Sequence, residues 1–347
     1  MRGTSKAQSD IMEDSVNFLE DEMYRSDIAA ALENSIEFGK LKNKKILILG
    51  ATGLIGSFLT DCLLYANRVH AMNMQIYAMS RRRQNLEARF GKEAEGLYFV
   101  EGDVMSLEAG MAPDVVIHAA SYAYPRAFRE KPVETMLANV VGTDNVLRAA
   151  CRYPGCRVLY VSSGEVQEEV DHLSARACYP VSKKAGETLC ISYIQEYQVD
   201  AVIARPCHTF GANVTSEDNR ATAQFIACAS KDQDIILKSS GKQMRSFAYV
   251  ADCVSGLLTV LTCGKTGQVY GIAADEVCSI RQFAEKCAET VQRQVACVEA
   301  NETEKAEVSP IKEQIIDNAD LKSLGWAPAF SIEEGIRHSV MIQKGLS

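Results

Sequence analysis

The sequence predicts an α/β protein, a doubly wound parallel sheet with a smaller C-terminal α/β lobe. Three observations predict it. Short apolar runs recur between residues 45 and 204, helical periodicities fill most of the gaps between them, and a glycine-rich turn joins the first run to the first helix. Strands buried on both faces of a parallel sheet read as continuous apolar runs rather than alternating ones. Strand and helix alternating at this rhythm require right-handed crossovers, which put helices on both faces.

Residues 1–10 read as disordered, and residues 11–40 as an N-terminal extension that is partly helical. Val16, Leu19, Met23, Ile28, Ala31, Leu32 and Ile36 recur there at helical spacing, which predicts one or two amphipathic helices packed on the main body. Lys45-Ile46-Leu47-Ile48-Leu49 is the first strand, with others expected at 75–79, 97–100, 115–118, 158–161 and 201–204. Helices are expected at 54–65, 132–151 and 179–197. After Arg205-Pro206 the rhythm loosens. Residues 207–245 and 275–347 are assigned to the smaller lobe over the carboxyl ends of the strands, and 246–274 to a segment returning to the main sheet.

Composition narrows the function classes. The chain has 347 residues, 47% of them hydrophobic, enough for a full core. A net charge of -8 argues against a nucleic-acid binder. The 12 cysteines form no C-x-x-C pair and the five histidines no metal-ligand cluster, so no metal is expected and the thiols suit a reducing compartment. No signal peptide is evident, and no run approaches the roughly 20 apolar residues of a membrane span. A cytoplasmic location without membrane partners is expected.

Gly50-Ala-Thr-Gly53-Leu-Ile-Gly56 follows the first strand and opens the first helix. The first glycine permits the tight turn, the second lets the backbone approach a pyrophosphate, and the third lets helix and strand pack closely. The phosphate charge would then sit at a helix N-terminus. This predicts a Rossmann-type dinucleotide-binding domain over 41–206. The cofactor stays open between NAD and NADP: the acid that bonds the ribose of NAD is missing after the second strand, where Ser80-Arg81-Arg82-Arg83 stands. Asp103, after the third strand, could meet the adenine amino group or cap its own loop.

Tyr179-Pro-Val-Ser-Lys183 places a phenol and an ammonium four residues apart, on one helix face. A lysine beside a phenol lowers its pKa, which would make a general base for a sugar hydroxyl while hydride leaves for a nicotinamide. Ser162-Ser163-Gly164-Glu165 follows a strand and so lies at the carboxyl edge, where open α/β sheets bind ligands. Ser163 can hydrogen-bond the reacting hydroxyl, and Glu165 can serve as a second acid or base.

These motifs, together with His118-Ala-Ala-Ser121, the N-V-V-G-T-D-N run at 139–145, Arg205-Pro206, the R-S-F-A-Y-V-A-D run at 245–252 and L-G-W at 324–326, resemble the extended short-chain dehydrogenase/reductase superfamily in its nucleotide-sugar epimerase/dehydratase branch. The resemblance implies a redox-neutral cycle. Tyr179 deprotonates a C4 hydroxyl, Ser163 assists, Lys183 binds the nicotinamide ribose, and Arg245 meets the nucleotide-sugar phosphates. It further sets Thr52, Leu54, Ile55, Ser80, Arg81, Asp103, Val104, Ala119, Ala120 and Pro206 against the cofactor, and Ser121 and His208 against the substrate. His208 stands where the family's R-x-x-N motif has asparagine. The S-G-E run at 163–165 and the E-T-L-C run at 187–190 are similar to those of UDP-glucuronate decarboxylases, and Glu165 favours chemistry at C5. A 4,6-dehydratase and an epimerase are the alternatives within the family, and a non-catalytic nucleotide-binding protein is the alternative from another class. The substrate is expected to be a nucleotide sugar and the assembly a homodimer through helices 132–151 and 179–197.

Overall fold

The computed structural model describes residues 17–107, 110–298 and 311–346. The expected disorder at 1–10 and the start of the predicted N-terminal helices lie outside the described residues. Helix α1, Glu22–Glu33, starts where the Asp21 side chain accepts the Tyr24 N–H at 2.8 Å, a capping arrangement that satisfies an orphan donor.

The main body then alternates as β1 (Lys45–Leu49), α2 (Leu54–His70), β2 (Gln75–Ser80), α3 (Arg83–Phe90), β3 (Leu97–Glu101), β4 (Val115–His118), α4 (Pro125–Glu130), α5 (Pro132–Cys151), β5 (Arg157–Val161), α6 (Cys178–Tyr197) and β6 (Asp200–Pro206). The expected strands agree with these to within two residues at each end. The first helix runs past its predicted end at 65, to His70.

The second half supplies β7 (His208–Phe210), α7 (Ala221–Ser230), β8 (Ile235–Leu237), β9 (Met244–Tyr249), α8 (Val250–Cys263), β10 (Val269–Ile272), β11 (Val277–Ser279), α9 (Ile280–Thr290), β12 (Val295–Cys297), β13 (Glu313–Gln314), α10 (Ala319–Lys322) and α11 (Ile332–Gly345). Seven strands form one parallel sheet in the order β10-β6-β5-β4-β1-β2-β3. The order reverses between β1 and β4, the switch point outside which open α/β sheets bind ligands.

Within residues 246–274, α8 packs behind β5, β6 and β10, and β10 pairs with β6. Residues 246–249 differ from the expectation. They belong to β9, which pairs with β7, β11 and β13 in a second, four-stranded sheet. A strand's apolar run does not name its partner, so the sequence could not separate β9 from the segment behind it.

Helix α1 is fastened by two buried carboxylates. Tyr24 donates its hydroxyl to Asp61 on α2 at 2.7 Å, and Arg89 of α3 pairs with the same carboxylate. Asp27 of α1 accepts the Tyr249 hydroxyl at 2.6 Å and faces His338 Nδ1 of α11 at 2.7 Å. The N-terminal extension therefore ties the glycine-turn helix to the second sheet and the C-terminal helix. Replacing Asp61 by alanine leaves Arg89 without its carboxylate in a site where Asp61 is 1% exposed. Such losses cost about 3–5 kcal/mol, and denaturant unfolding of the Asp61→Ala variant is expected to read a loss in that range. A change within about 0.5 kcal/mol, the size of an ordinary surface substitution, would show that the pair does not anchor α1.

Candidate active site

Gly50 ends β1 with φ +83°, a left-handed conformation that glycine adopts without steric cost. A Cβ there would also lie 2.8 Å from Ala120 Cα, so the loop after β4 passes directly over this residue. In the first turn of α2, a Cβ on Gly56 would meet the Gly50 carbonyl oxygen at 2.2 Å. Gly53 caps α2 without a side-chain hydrogen bond, so the N–H groups of the first turn are not taken by a cap. The turn thus has the close approach, the bare N-terminus and the dipole that a pyrophosphate needs. These residues fit a dinucleotide.

One cleft joins that turn to the predicted reactive groups. Gly50, Gly53, Leu54, Ile55, Gly56, Ala119 and Ser121 line it together with Ser163, Glu165, Tyr179 and Lys183, and so do Pro206, His208, Arg220 and Gln314.

Lys183 is 2% exposed and donates from Nζ to the Val161 carbonyl at 2.7 Å. Burial draws its pKa down to about 7 against the opposing pull of Glu187. Glu187 lies one turn further along α6 and is itself held, accepting from Ser162 Oγ at 2.6 Å and from Arg205 at 2.8 and 2.6 Å.

Tyr179 corrects one expectation. Burial, and then the Glu165 carboxylate, push its pKa up to about 12, and the hydrogen bond with Ser163 and the charges of Arg220 and Arg176 only partly offset them. The neighbouring cations that act on the phenol are therefore arginines. Lys183 spends its ammonium on a backbone carbonyl. Glu165 is likewise engaged: Arg176 Nη2 donates to its Oε2 at 2.7 Å, and its N–H donates to Ser163 Oγ at 3.2 Å.

Burial and the charges of Arg245, Arg220 and Arg176 hold the His208 pKa down to about 3, only partly offset by the nearby Gln314 amide. His208 is therefore a neutral ring. Arg220 is anchored to Asp218 at 2.6 Å and to the Thr209 carbonyl at 3.0 Å. Arg245, expected against the substrate phosphates, stands outside the cleft lining, 2% exposed and donating to the Met244 and Ile311 carbonyls at 2.7 and 2.6 Å.

Other predicted residues stand away from the cleft lining. Thr52 lies in the turn before α2, and Ser80 at the end of β2. Arg81 bonds the Tyr122 hydroxyl and lies 4.7 Å from the centroid of that ring. Asp103 accepts the Met105 N–H at 2.9 Å, the loop-capping role left open above. Val104 fills the space above Gly142 of α5, where a Cβ would come within 2.7 Å of it, and Ala120 backs Gly50. At Gly164 the Ile316 side chain occupies the volume of a side chain, with a would-be Cβ 2.5 Å from Cδ1.

Residues the sequence reading passed over include Arg176, Glu187, Arg220 and Gln314. Glu187 had a signal, since Tyr179, Lys183 and Glu187 repeat every four residues. Arg176, three residues before Tyr179, had a weaker one. Gln314 had none, because a two-residue strand carries no periodicity.

The NAD dependent epimerase/dehydratase family model matches residues 46–273. The chain belongs to this family. It is an NAD-dependent enzyme. Curated relatives include UDP-glucuronic acid decarboxylase 1 of Xenopus tropicalis, 30% identical over 310 residues, covering 86% of this chain and 71% of that protein. UDP-glucuronic acid decarboxylase 6 of Arabidopsis thaliana is 28% identical over 313 residues, covering 85% and 87%. Among solved structures, dTDP-glucose 4,6-dehydratase from Bacillus anthracis in complex with NAD superposes with a TM-score of 0.73 at 18% identity, covering 87% of this chain and 97% of that one. UDP-glucose 4-epimerase with UDP-glucose from Thermotoga maritima gives 0.72 at 18%, covering 87% and 99%. At these identities the structures establish the shared fold. Among the described residues no helix is long and apolar enough to cross a membrane, and no His, Cys, Asp or Glu cluster could hold a metal.

The buried lysine makes stability depend on pH. A free lysine titrates near 10.5 and Lys183 near 7, so between those values the unfolded chain binds the extra proton. Stability from this group therefore rises as pH rises through that window. Denaturant unfolding in the absence of cofactor is expected to show wild type gaining on Lys183→Met between neutral and strongly alkaline pH. Parallel curves would rule the burial effect out.

Proposed function

We propose that the enzyme converts a UDP-uronate, UDP-glucuronate above all, to the decarboxylated UDP-sugar through a transient 4-keto sugar. The observation that carries this is the single cleft in which Tyr179, Ser163 and Glu165 lie beside the glycine turn. The likeness to UDP-glucuronic acid decarboxylases over 86% of the chain supports the choice of substrate.

NAD, when bound at the glycine turn, supplies a reversible hydride acceptor. The chain's own residues do the rest. Tyr179 takes the C4 hydroxyl proton, with Ser163 sharing the hydrogen bond, and returns it at the end of the cycle. Lys183 holds the nicotinamide ribose. A ketone at C4 turns the C5 carboxylate into a β-keto acid, which loses carbon dioxide readily. Glu165 manages the proton at C5. His208, Ser121 and Arg220 face the sugar and nucleotide, and Arg245 carries positive charge for the phosphates. The smaller lobe, 207–245 and 275–347, acts as the substrate lobe.

Homodimerisation and a cytoplasmic setting belong to the same reading. On α5, Val133, Leu137 and Val141 repeat every four residues and are exposed, as are Val181 and Ile191 on the neighbouring α6. Burying such a row on a second copy removes apolar area from water. The unpaired thiols suit a reducing compartment.

Incubation with a panel of nucleotide sugars, read by product mass, is expected to show loss of carbon dioxide from UDP-glucuronate. Loss of water from a neutral sugar, or unchanged mass with inverted stereochemistry, would replace the reading with dehydration or epimerisation. Removing the phenol in Tyr179→Phe is expected to cut turnover by about 10²–10⁴-fold, the usual contribution of acid–base catalysis, with NAD binding kept. Sedimentation is expected to find a dimer that Leu137→Glu splits. An unchanged dimer in that variant would place the interface elsewhere.

A further inference from the structure

A chain of contacts runs from Tyr179 through Phe128 and Arg176 to Glu165, and from the Glu165 backbone to Ser163. Tyr179 stacks on Phe128, with centroids 4.8 Å apart and planes at 24°. Phe128, 4% exposed, also carries the Arg176 guanidinium, whose Cζ lies 4.7 Å from the ring centroid. Arg176 Nη2 donates to Glu165 Oε2 at 2.7 Å. The Glu165 N–H donates to Ser163 Oγ at 3.2 Å, and Ser163 and Tyr179 line the same cleft. Arg176 Nη1 is buried with no hydrogen-bond partner among the described residues. Glu165 and Phe128 therefore account for the placement of this guanidinium.

Tyr179, Ser163 and Glu165 line the cleft, whereas Arg176 and Phe128 do not. We propose that Arg176 is a positioning residue, bound to Glu165 on one side and resting on Phe128 on the other, that fixes the Glu165 carboxylate relative to the Tyr179 hydroxyl. It thereby decides whether a 4-keto sugar goes on to react at C5. The inference rests on the proposed function and names a residue that function does not require to touch substrate.

The two groups it holds together serve adjacent carbons. With NAD bound at the glycine turn as hydride acceptor, the C4 hydroxyl would give its proton to the Tyr179 phenolate while the hydride would leave from the C4 carbon itself. The carboxylate then leaves C5 as carbon dioxide, its bonding pair passing into the C4 carbonyl as an enolate. The enolate would take a proton at C5 from Glu165, which regains one from water, and the hydride would then return to C4 and the Tyr179 proton to the C4 oxygen. Oxidation and reduction cancel. Tyr179 serves the outer steps and Glu165 the inner one, so a Glu165 that drifts from Tyr179 harms only the inner step. An arginine stacked on an aromatic ring and paired to a carboxylate defines both distance and plane.

The test follows both halves of the cycle on UDP-glucuronate in Arg176→Gln, Arg176→Lys and Phe128→Leu, with NAD binding and thermal melting as checks on folding. In Arg176→Gln, release of carbon dioxide is expected to fall about a hundredfold, the cost of a reacting group misplaced by about 1 Å. The decarboxylated 4-keto UDP-sugar, seen by mass after borohydride trapping, is expected to accumulate, since Glu165 acts after carbon dioxide has left and turnover stalls there. Arg176→Lys keeps the charge and should recover part of the rate. Phe128→Leu, which alters no charge, should show a smaller loss of the same kind. Unchanged carbon dioxide release, or C4 oxidation falling in step with it, would overturn the proposal, since a merely structural role depresses both. Should wild type neither oxidise C4 nor release carbon dioxide, the proposed function itself fails and takes this inference with it.

Discussion

The site depends on how α6 is pinned to the carboxyl edge of the sheet. Tyr179, Lys183 and Glu187 form a stripe on that helix, and the last two fasten it. Lys183 donates to the last carbonyl of β5, while Glu187 receives Ser162 from the turn after β5 and Arg205 from β6. A buried carboxylate is tolerated only when its charge and lone pairs are satisfied, and here it is satisfied by two neighbouring strands at once. Rotation of α6 would break these contacts together. Tyr179 thus lines the cleft with its direction already set.

Around that stripe the charges are sorted by position. A lysine kept dry titrates near neutrality, a phenol kept dry stays protonated, and a histidine beside arginines stays neutral. The carboxylates that would disturb the site are each matched: Glu187 by Arg205, Glu165 by Arg176, and Asp218 by Arg220. The cleft therefore presents a protonated phenol and a neutral imidazole in front of paired charges, so Tyr179 has to give up its own proton before it can take one from a sugar alcohol.

The fold and part of the site were legible beforehand because both follow from local rules. Glycines that permit a left-handed φ or a contact between backbones leave a fixed spacing, as Gly50 and Gly56 do. Two side chains four residues apart on a helix share a face whatever surrounds them. Apolar runs such as 45–49 announce buried strands. The same rules were silent about contacts between distant segments. Arg176 meets Glu165 only because the loop from 168 to 174 brings it back, and Phe128 comes to Tyr179 from α4. Residues 246–249 read as part of a return to the main sheet, and only pairing with β7 and β11 assigned them elsewhere.

The amino-acid sequence alone determined that a nicotinamide dinucleotide site and a tyrosine–lysine pair stand at one edge of a parallel sheet, since turn geometry and helical repeat are properties of neighbouring residues. The tertiary structure alone decided the electrical state of those groups. Whether a phenol is raised or lowered depends on how much water it keeps and which ion faces it, and both are set by segments far away along the chain. That is why Lys183 proved to serve a backbone carbonyl while arginines came to stand near the tyrosine.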